Sequence, residues 1–227
     1  MPGHPSSLPA QSLPLLGALD ALGDVLREFQ VLQHHSVFAF VPGPGDPSLS
    51  PALPRRTLPL TLTRHLRAAV PRAVMCSSPA RVRWHSQEIV FFREDLGARM
   101  RRACVLPPVD DTPPPGGDGA AMMEQQPGQD ARGHALFASL CATLQQQSHL
   151  TPLPLAHAPC LWEHDHAMWL FPQPHALVLA DRSVPQSTCQ FEGCACANPG
   201  AFGADGSFAV YRPASRTFEL SALPLHE

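Results

Sequence analysis

Apolar residues recur at helical spacing near the start of the chain and in short blocks after it. Between residues 15 and 32 they form a single stripe with three- and four-residue spacing, which predicts an amphipathic helix. Residues 36–41 follow as a short apolar and aromatic run of strand type. The prolines and glycines of residues 42–47 then predict a loop. A helix followed by a buried strand and a loop is typical of an α/β domain.

Further helices and strands are predicted along the rest of the chain. The helical patterns cover residues 61–70, 95–104 and 134–147. The strand patterns cover residues 81–85, 88–92, 176–180, 189–197, 207–211 and 217–220.

Two segments are predicted to be disordered. Residues 1–11 are rich in proline and serine, and residues 109–133 contain almost no large apolar side chain. A segment of the second kind buries too little surface to offset its ordering entropy. We therefore expect one domain over residues 12–225, interrupted by a disordered insertion at about 109–133.

The composition narrows the classes of function. All sixteen basic residues are arginines and the net charge is -3, so the sequence shows no basic footprint for direct nucleic-acid binding. The apolar run at residues 13–22 is interrupted by Asp20 and is too short to span a bilayer, so we expect no membrane association. Without a secretory signal, the seven cysteines are interpreted as reduced thiols.

Two stretches contain residue types that bind metals. His164 and His166 lie in a Glu-His-Asp-His run without a clear further ligand, and we interpret this run as a polar loop. Cys189, Cys194 and Cys196 lack the paired spacing of a structural zinc site, and we interpret them as small buried hydrophobic side chains in a strand. The sequence contains neither a nucleophile elbow nor a lysine-containing phosphate loop. We assign no catalytic, cofactor-binding or metal-binding residue.

Five blocks of sequence, in order, resemble the B-subunit family of replicative DNA polymerases, most closely its epsilon branch. The resemblance covers roughly residues 12–220 without the insertion. The blocks are residues 38–47 (FAFVPGPGDP), 87–96 (QEIVFFREDL), 149–155 (HLTPLPL), 176–183 (ALVLADRS), and 194–202 (CACANPGAF) continuing into 208–213 (FAVYRP).

The resemblance implies a calcineurin-like phosphoesterase fold, a two-layer β-sandwich flanked by helices, that has lost its dinuclear metal site. Pro44 and Gly45 stand where catalytic relatives have asparagine and histidine ligands, and no histidine lies near Asn198. His149 stands where another ligand histidine occurs. Because the resemblance covers only the C-terminal part of that domain, we expect the fold to be incomplete at its N-terminal side.

The resemblance also implies a function, which is that of a non-catalytic scaffold. Such a subunit binds the C-terminal region of the catalytic subunit of DNA polymerase epsilon in nuclear DNA replication. It reaches DNA through the complex and has no small-molecule substrate or cofactor. Three alternatives stay open: an accessory subunit of polymerase delta or alpha, an active metallophosphoesterase that depends on Asp46 or His149, and a zinc module built from Cys189, Cys194, Cys196 and a histidine.

Overall fold

The computed structural model describes residues 12–47, 50–104 and 129–224. The helices are α1 Leu13–Glu28, α2 Gln30–His35, α3 Leu60–Ala69, α4 Leu96–Ala103, α5 Gln129–Gln147 and α6 Phe202–Asp205, with a 3-10 helix at Trp162–Met168. The strands are β1 Phe38–Phe40, β2 Ala73–Met75, β3 Ala80–Trp84, β4 Gln87–Phe92, β5 Ala176–Leu179, β6 Ser187–Phe191, β7 Cys194–Asn198, β8 Ser207–Arg212 and β9 Thr217–Ala222. Within the described ranges, no helix combines the length and the hydrophobicity that crossing a membrane requires.

The centre of the structure is a mixed five-stranded sheet with the order β3-β4-β5-β7-β6. Its three inner strands, β4, β5 and β7, run parallel, and each outer strand pairs antiparallel with its hairpin partner. Every residue of β5 and β7 is buried, as expected of parallel strands that are covered on both faces. The predicted α/β class is confirmed by this sheet and its helices.

The two faces of the sheet pack against different elements. Val90 and Leu177 point to the face that α5 covers, where they join a core with Phe137 and Leu144. Val178 points to the opposite face of the sheet, where it and its neighbours pack against the β8–β9 hairpin. Because successive residues of a strand point to opposite faces, the continuous apolar runs of β4 and β5 supply both cores at once.

A second cluster of apolar side chains joins α1 and α3 to the small parallel sheet of β1 and β2. Leu62 and Leu66 are fully buried there against Leu19. Gly23 allows the two helices to approach closely, since a Cβ atom at this position would lie 3.2 Å from the His65 ring and 3.3 Å from the Ala69 Cβ.

Two predicted elements are each divided in the structure. The single helix predicted over residues 15–32 is α1 and α2, because Phe29 leaves the helical conformation with φ −103° and ψ 81°. The single strand predicted over residues 189–197 is β6 and β7. Glu192 and Gly193 have φ values of 46° and 88°, and two left-handed residues in succession form the tight turn of a hairpin.

The prediction of disorder over residues 109–133 was wrong for the C-terminal residues of this segment. The helix α5 begins at Gln129, so the last five residues of the predicted insertion are helical. Gly133 contributes to packing here, because a Cβ atom on it would lie 2.2 Å from the Pro185 Cγ. The remainder of this segment, and the predicted disordered residues 1–11, lie outside the described residues.

The predicted two-layer sandwich is only partly matched. The described strands form one five-stranded sheet and two two-stranded sheets. The β8–β9 hairpin packs on the face of the large sheet opposite α5. The large mixed β-sheet therefore lies between a helical layer and a β-hairpin.

Candidate functional site

The loop after β1 closes on itself through its aspartate. The Asp46 carboxylate accepts a hydrogen bond of 2.7 Å from the Gly43 amide, and the Asp46 amide donates to the Gly43 carbonyl at 3.2 Å. The Arg93 side chain packs on this loop, since a Cβ atom on Gly43 would lie only 2.7 Å from the Arg93 Nε. Asp46 therefore closes this turn, and the Arg93 guanidinium places a positive charge beside it.

Polar side chains gather where the parallel strands end. Asp181 follows β5 and is 2% exposed. One carboxylate oxygen accepts a 2.6 Å hydrogen bond from the Gly97 amide, and the other accepts bonds of 2.7 and 2.6 Å from the amide and hydroxyl of Ser183. Ser183 Oγ in turn accepts a hydrogen bond from the Ala98 amide at 2.9 Å. Asp181 and Ser183 therefore cap the first turn of α4, where a negative charge is stabilised.

Asn198, the last residue of β7, binds the same loop. Its buried side-chain amide donates to the carbonyls of Asp181 and Val184 at 2.9 Å and of Pro185 at 3.2 Å, and its oxygen accepts from the Gly200 amide at 3.3 Å. A cavity of about 200 Å³ lies beside this loop and is lined by residues 181–186, 200, 201 and 205. The polar groups of Asp181 and Asn198 are thus engaged within the chain.

A buried ion pair lies behind the same edge of the sheet. Glu94, two residues after β4, is 1% exposed and pairs with the buried Arg55. Arg99 approaches the other oxygen of Glu94 at 2.8 Å. Two guanidinium groups thus neutralise one buried carboxylate, which suits a structural role.

His149 forms a separate network with Asp165. Its Nε2 lies 3.2 Å from Asp165 Oδ1, and its Nδ1 accepts a hydrogen bond from the Thr151 amide at 3.0 Å. This arrangement assigns the proton to Nε2 and occupies both ring nitrogens. The indole N–H of Trp169 donates to Asp165 at 2.8 Å, and this bond, followed by that from His149, lowers the pKa of the Asp165 carboxyl. A cavity of about 300 Å³ adjoins the pair.

The predicted polar loop around His164 and His166 is a 3-10 helix, so that prediction was wrong in its conformation. Both rings are exposed and meet edge to face with their centroids 6.4 Å apart. Asp165, between them in sequence, points instead to His149 and Trp169.

The phosphoesterase-type positions make separate contacts. Asp46 bonds to its own loop, His149 to Asp165, and Asn198 to the loop after β5. In residues 12–47, 50–104 and 129–224, no hydrogen bond or ion pair joins any two of Asp46, His149 and Asn198. Their lack of a catalytic or metal-binding role is a sequence-based prediction that these contacts support without testing.

Three thiols converge between α5 and the sheet. The sulfur atoms of Cys141, Cys189 and Cys196 all lie within 4.8 Å of one another. Cys189 and Cys196 are register partners on β6 and β7, and Cys141 faces them from α5. The pKa of Cys189 is lowered because Cys141, and then Cys196, donate hydrogen bonds to its sulfur. Of the three strand cysteines considered in the sequence, Cys189 and Cys196 group with Cys141, and Cys194 lies outside this group.

One surface segment carries large exposed aromatic side chains. Trp162 is 73% exposed, Trp169 is 51% exposed and Phe171 is 80% exposed. Trp162 also lines the cavity beside His149. Such side chains contribute strongly to protein interfaces. We call residues 161–171 the aromatic segment.

Sequence reasoning missed three functional or structural centres. Asp181 lies directly after a buried strand within the ALVLADRS block, so its position could have marked it. Asp165 was not singled out because the two histidines beside it were considered as metal ligands instead. Cys141 has no local partner, and its contact with Cys189 depends wholly on tertiary packing.

The sequence of the chain is similar to those of known proteins. A family model for the B subunit of DNA polymerases alpha and epsilon matches residues 13–189. The B subunit of DNA polymerase epsilon from Arabidopsis thaliana is 43% identical over 202 residues, which are 89% of this chain and 34% of that protein. DNA polymerase epsilon subunit 2 of Homo sapiens is 36% identical over 210 residues, which are 92% of this chain and 36% of that protein.

The chain spans about a third of the length of these curated relatives. Among solved structures, TT1561 of Thermus thermophilus aligns with 91% of this chain and 79% of its own, at 13% identity and a TM-score of 0.40. That similarity is too low to bear on the fold, whereas the family model matches well over half of the sequence. The chain therefore belongs to the B-subunit family of DNA polymerases alpha and epsilon.

Proposed function

We propose that the chain is a non-catalytic accessory part of DNA polymerase epsilon, which binds the C-terminal region of the catalytic subunit in nuclear DNA replication. The named epsilon subunits among its relatives support the choice of polymerase. The net charge of -3 and the absence of lysine favour contact with DNA through the complex rather than directly. In this proposal the scaffold is a part of a calcineurin-like domain, and the positions of the loops at 43–46 and 198–200 after β1 and β7 are compatible with it.

The observation that carries this proposal is the exposure of the aromatic segment. Trp162, Trp169 and Phe171 are large side chains that each bury about 150–250 Å² when covered. Together they could supply more than half of the roughly 800 Å² that each partner contributes to a standard protein interface. Trp169 is held in place by its bond to Asp165, so part of this surface is ordered before any partner binds.

Co-purification tests the proposal. The whole chain is co-expressed with the C-terminal region of the polymerase epsilon catalytic subunit from the same organism, and binding is measured at moderate salt. A double variant, Trp162→Ala with Phe171→Ala, is expected to lose most of the binding. Val31→Ala is the matched control, because Val31 is 73% exposed on α2 and lies outside the aromatic segment.

Each outcome has a defined meaning. Failure of the unmodified chain to co-purify would overturn the proposed function. Binding by the double variant at the level of the unmodified chain would show that the contact lies elsewhere. Circular dichroism of each variant confirms that the fold is retained.

The proposed lack of catalysis has its own assay. With Mn²⁺ added, the purified chain is expected to give no turnover of an aryl phosphate, because Asp46 and His149 are each engaged within the chain. Turnover that disappears in Asp46→Ala or His149→Ala would contradict this expectation and favour a metallophosphoesterase.

A further inference from the structure

We propose that Cys141, Cys189 and Cys196 form a thiolate site for a soft divalent cation, with Zn²⁺ as its best fit. The site lies between α5, β6 and β7 and shares no residue with the aromatic segment or with the loops at the strand ends. It is independent of the proposed binding to a catalytic subunit.

The spacing of the sulfur atoms fits tetrahedral coordination. A zinc ion holds thiolate sulfurs at about 2.3 Å, which places two such sulfurs roughly 3.8 Å apart in a tetrahedron. The three sulfurs already lie within 4.8 Å of one another, so shifts of about 1 Å or less would complete the geometry. Side-chain rotation can supply such shifts without a change in the backbone.

The elements of the fold fix this arrangement. Pairing of β6 with β7 places Cys189 opposite Cys196, so both side chains point to the same face of the sheet. On α5, Cys141 and Leu144 are fully buried against that face. The site therefore avoids the strained spacing that argued against zinc in the sequence, because Cys141 takes the place of Cys194.

An access route to the three sulfurs is also present. Cys194, two residues before Cys196 on the same face of β7, is also fully buried, but its sulfur is not within 4.8 Å of all three. Cys189 is only partly buried on the edge strand β6, which leaves a route for the ion.

The chemistry of the donors selects the class of metal. Thiolates prefer soft or borderline cations such as Zn²⁺, whereas Mg²⁺ and Ca²⁺ require oxygen ligands. On binding, each ligating thiol gives up its proton, and the positive charge of the metal replaces the protons that hold the buried sulfurs neutral. A cluster that served only as apolar packing would gain nothing from a metal ion.

Cobalt titration tests the proposal directly. The full chain is reduced with a phosphine, freed of metal with a chelator and titrated anaerobically with Co²⁺. We expect a thiolate-to-cobalt charge-transfer band and tetrahedral ligand-field bands that saturate at one Co²⁺ per chain. One equivalent of Zn²⁺ should then abolish these bands.

Three variants localise the site. Cys189→Ser removes a partly exposed ligand with little change in volume, and Cys141→Ala provides a second, independent loss. Each is expected to weaken Co²⁺ binding by more than about a hundredfold, since even outer-shell changes cost 10–100-fold. Cys76→Ser is the matched control because Cys76 lies outside the cluster, and it should bind like the unmodified chain.

Several results would overturn the site. One is the absence of the charge-transfer band in the unmodified chain. Another is equal Co²⁺ affinity in the unmodified chain and in Cys189→Ser, with circular dichroism showing both to be folded. A third is a chain that takes up no metal and whose cluster thiols only form a disulfide on oxidation.

Discussion

Replacing Asp181 by asparagine tests whether the aspartate after β5 is a structural cap. The carboxylate accepts hydrogen bonds of 2.6, 2.7 and 2.6 Å from the Gly97 amide and from the amide and hydroxyl of Ser183. Asparagine keeps only one acceptor oxygen. Its NH₂ group replaces the second oxygen, and it therefore faces a group that donates a hydrogen bond to that oxygen in the unmodified chain. Asp181→Asn therefore removes at least one charge-assisted bond and the negative charge at the start of α4.

The magnitude follows from those two losses. A buried hydrogen bond to a charged group contributes about 1.5–3 kcal/mol, and a charge at a helix N-terminus adds about 0.3–1 kcal/mol. The expected loss in the free energy of unfolding is about 2–4 kcal/mol. Because Asp181 is 2% exposed, water cannot replace the missing acceptor without rearrangement of the loop.

The chain contains a matched control for this substitution. Asp205 and Ser207 repeat the Asp-x-Ser arrangement, with a 2.9 Å hydrogen bond from the Ser207 amide to the carboxylate, but Asp205 is exposed. Asp205→Asn should therefore cost much less stability than Asp181→Asn. Urea unfolding at neutral pH, followed by circular dichroism, measures both. Equal losses, or a loss below about 1 kcal/mol for Asp181→Asn, would refute the capping argument.

Three further predictions concern a buried ion pair, a glycine with positive φ and a half-buried carboxylate. Glu94→Gln is expected to destabilise the fold by about 3–5 kcal/mol in urea unfolding, because it leaves the buried Arg55 without a carboxylate. Gly200→Ala should lower the melting temperature and cost about 1–3 kcal/mol, since Gly200 has φ 83° and a Cβ atom there would lie 2.1 Å from Ser207 Oγ. The hydrogen bond from Trp169 lowers the pKa of Asp165 in the folded chain. Ionised Asp165 therefore stabilises the fold at pH values above its unfolded pKa of about 3.9. This contribution is lost as the pH falls through the lower pKa of the folded state. The melting temperature of Asp165→Asn should therefore lie below that of the unmodified chain at pH 7, and the difference should shrink in acid; a difference that is independent of pH would contradict this.

Local patterns predicted much of the sheet. The continuous apolar run at β5 is typical of a strand that is buried on both faces. The β3–β4 hairpin was predicted from two strand patterns around a short turn. The turn between β6 and β7 was missed because Glu192 adopts φ 46°, a conformation that its residue type rarely adopts. Gly133 suggested a loop by its type, yet its function in the fold is to let α5 contact Pro185.

The site residues were harder to predict because their partners are distant in sequence. His149 resembles a ligand histidine by its position in the sequence. In the structure, its ring contacts Asp165 and the Thr151 amide instead. Cys141 and Cys189 meet only because α5 packs on the sheet. Periodicity describes which face of an element is buried; it does not identify the element that covers that face.

Asp181 and Asn198 show how side chains at the ends of parallel strands can have a structural role in a chain for which we propose no hydrolysis. Ligands of open α/β sheets bind at the carboxyl ends of parallel strands, where Asp181 and Asn198 lie. Both oxygens of Asp181 are occupied by α4 and Ser183, and the Asn198 amide holds three carbonyls of one loop. These bonds are charge-assisted and contribute about 1.5–3 kcal/mol each, a large fraction of the stability of a small domain. Selection for stability alone is therefore sufficient to retain these side chains, and their presence is no argument for catalysis.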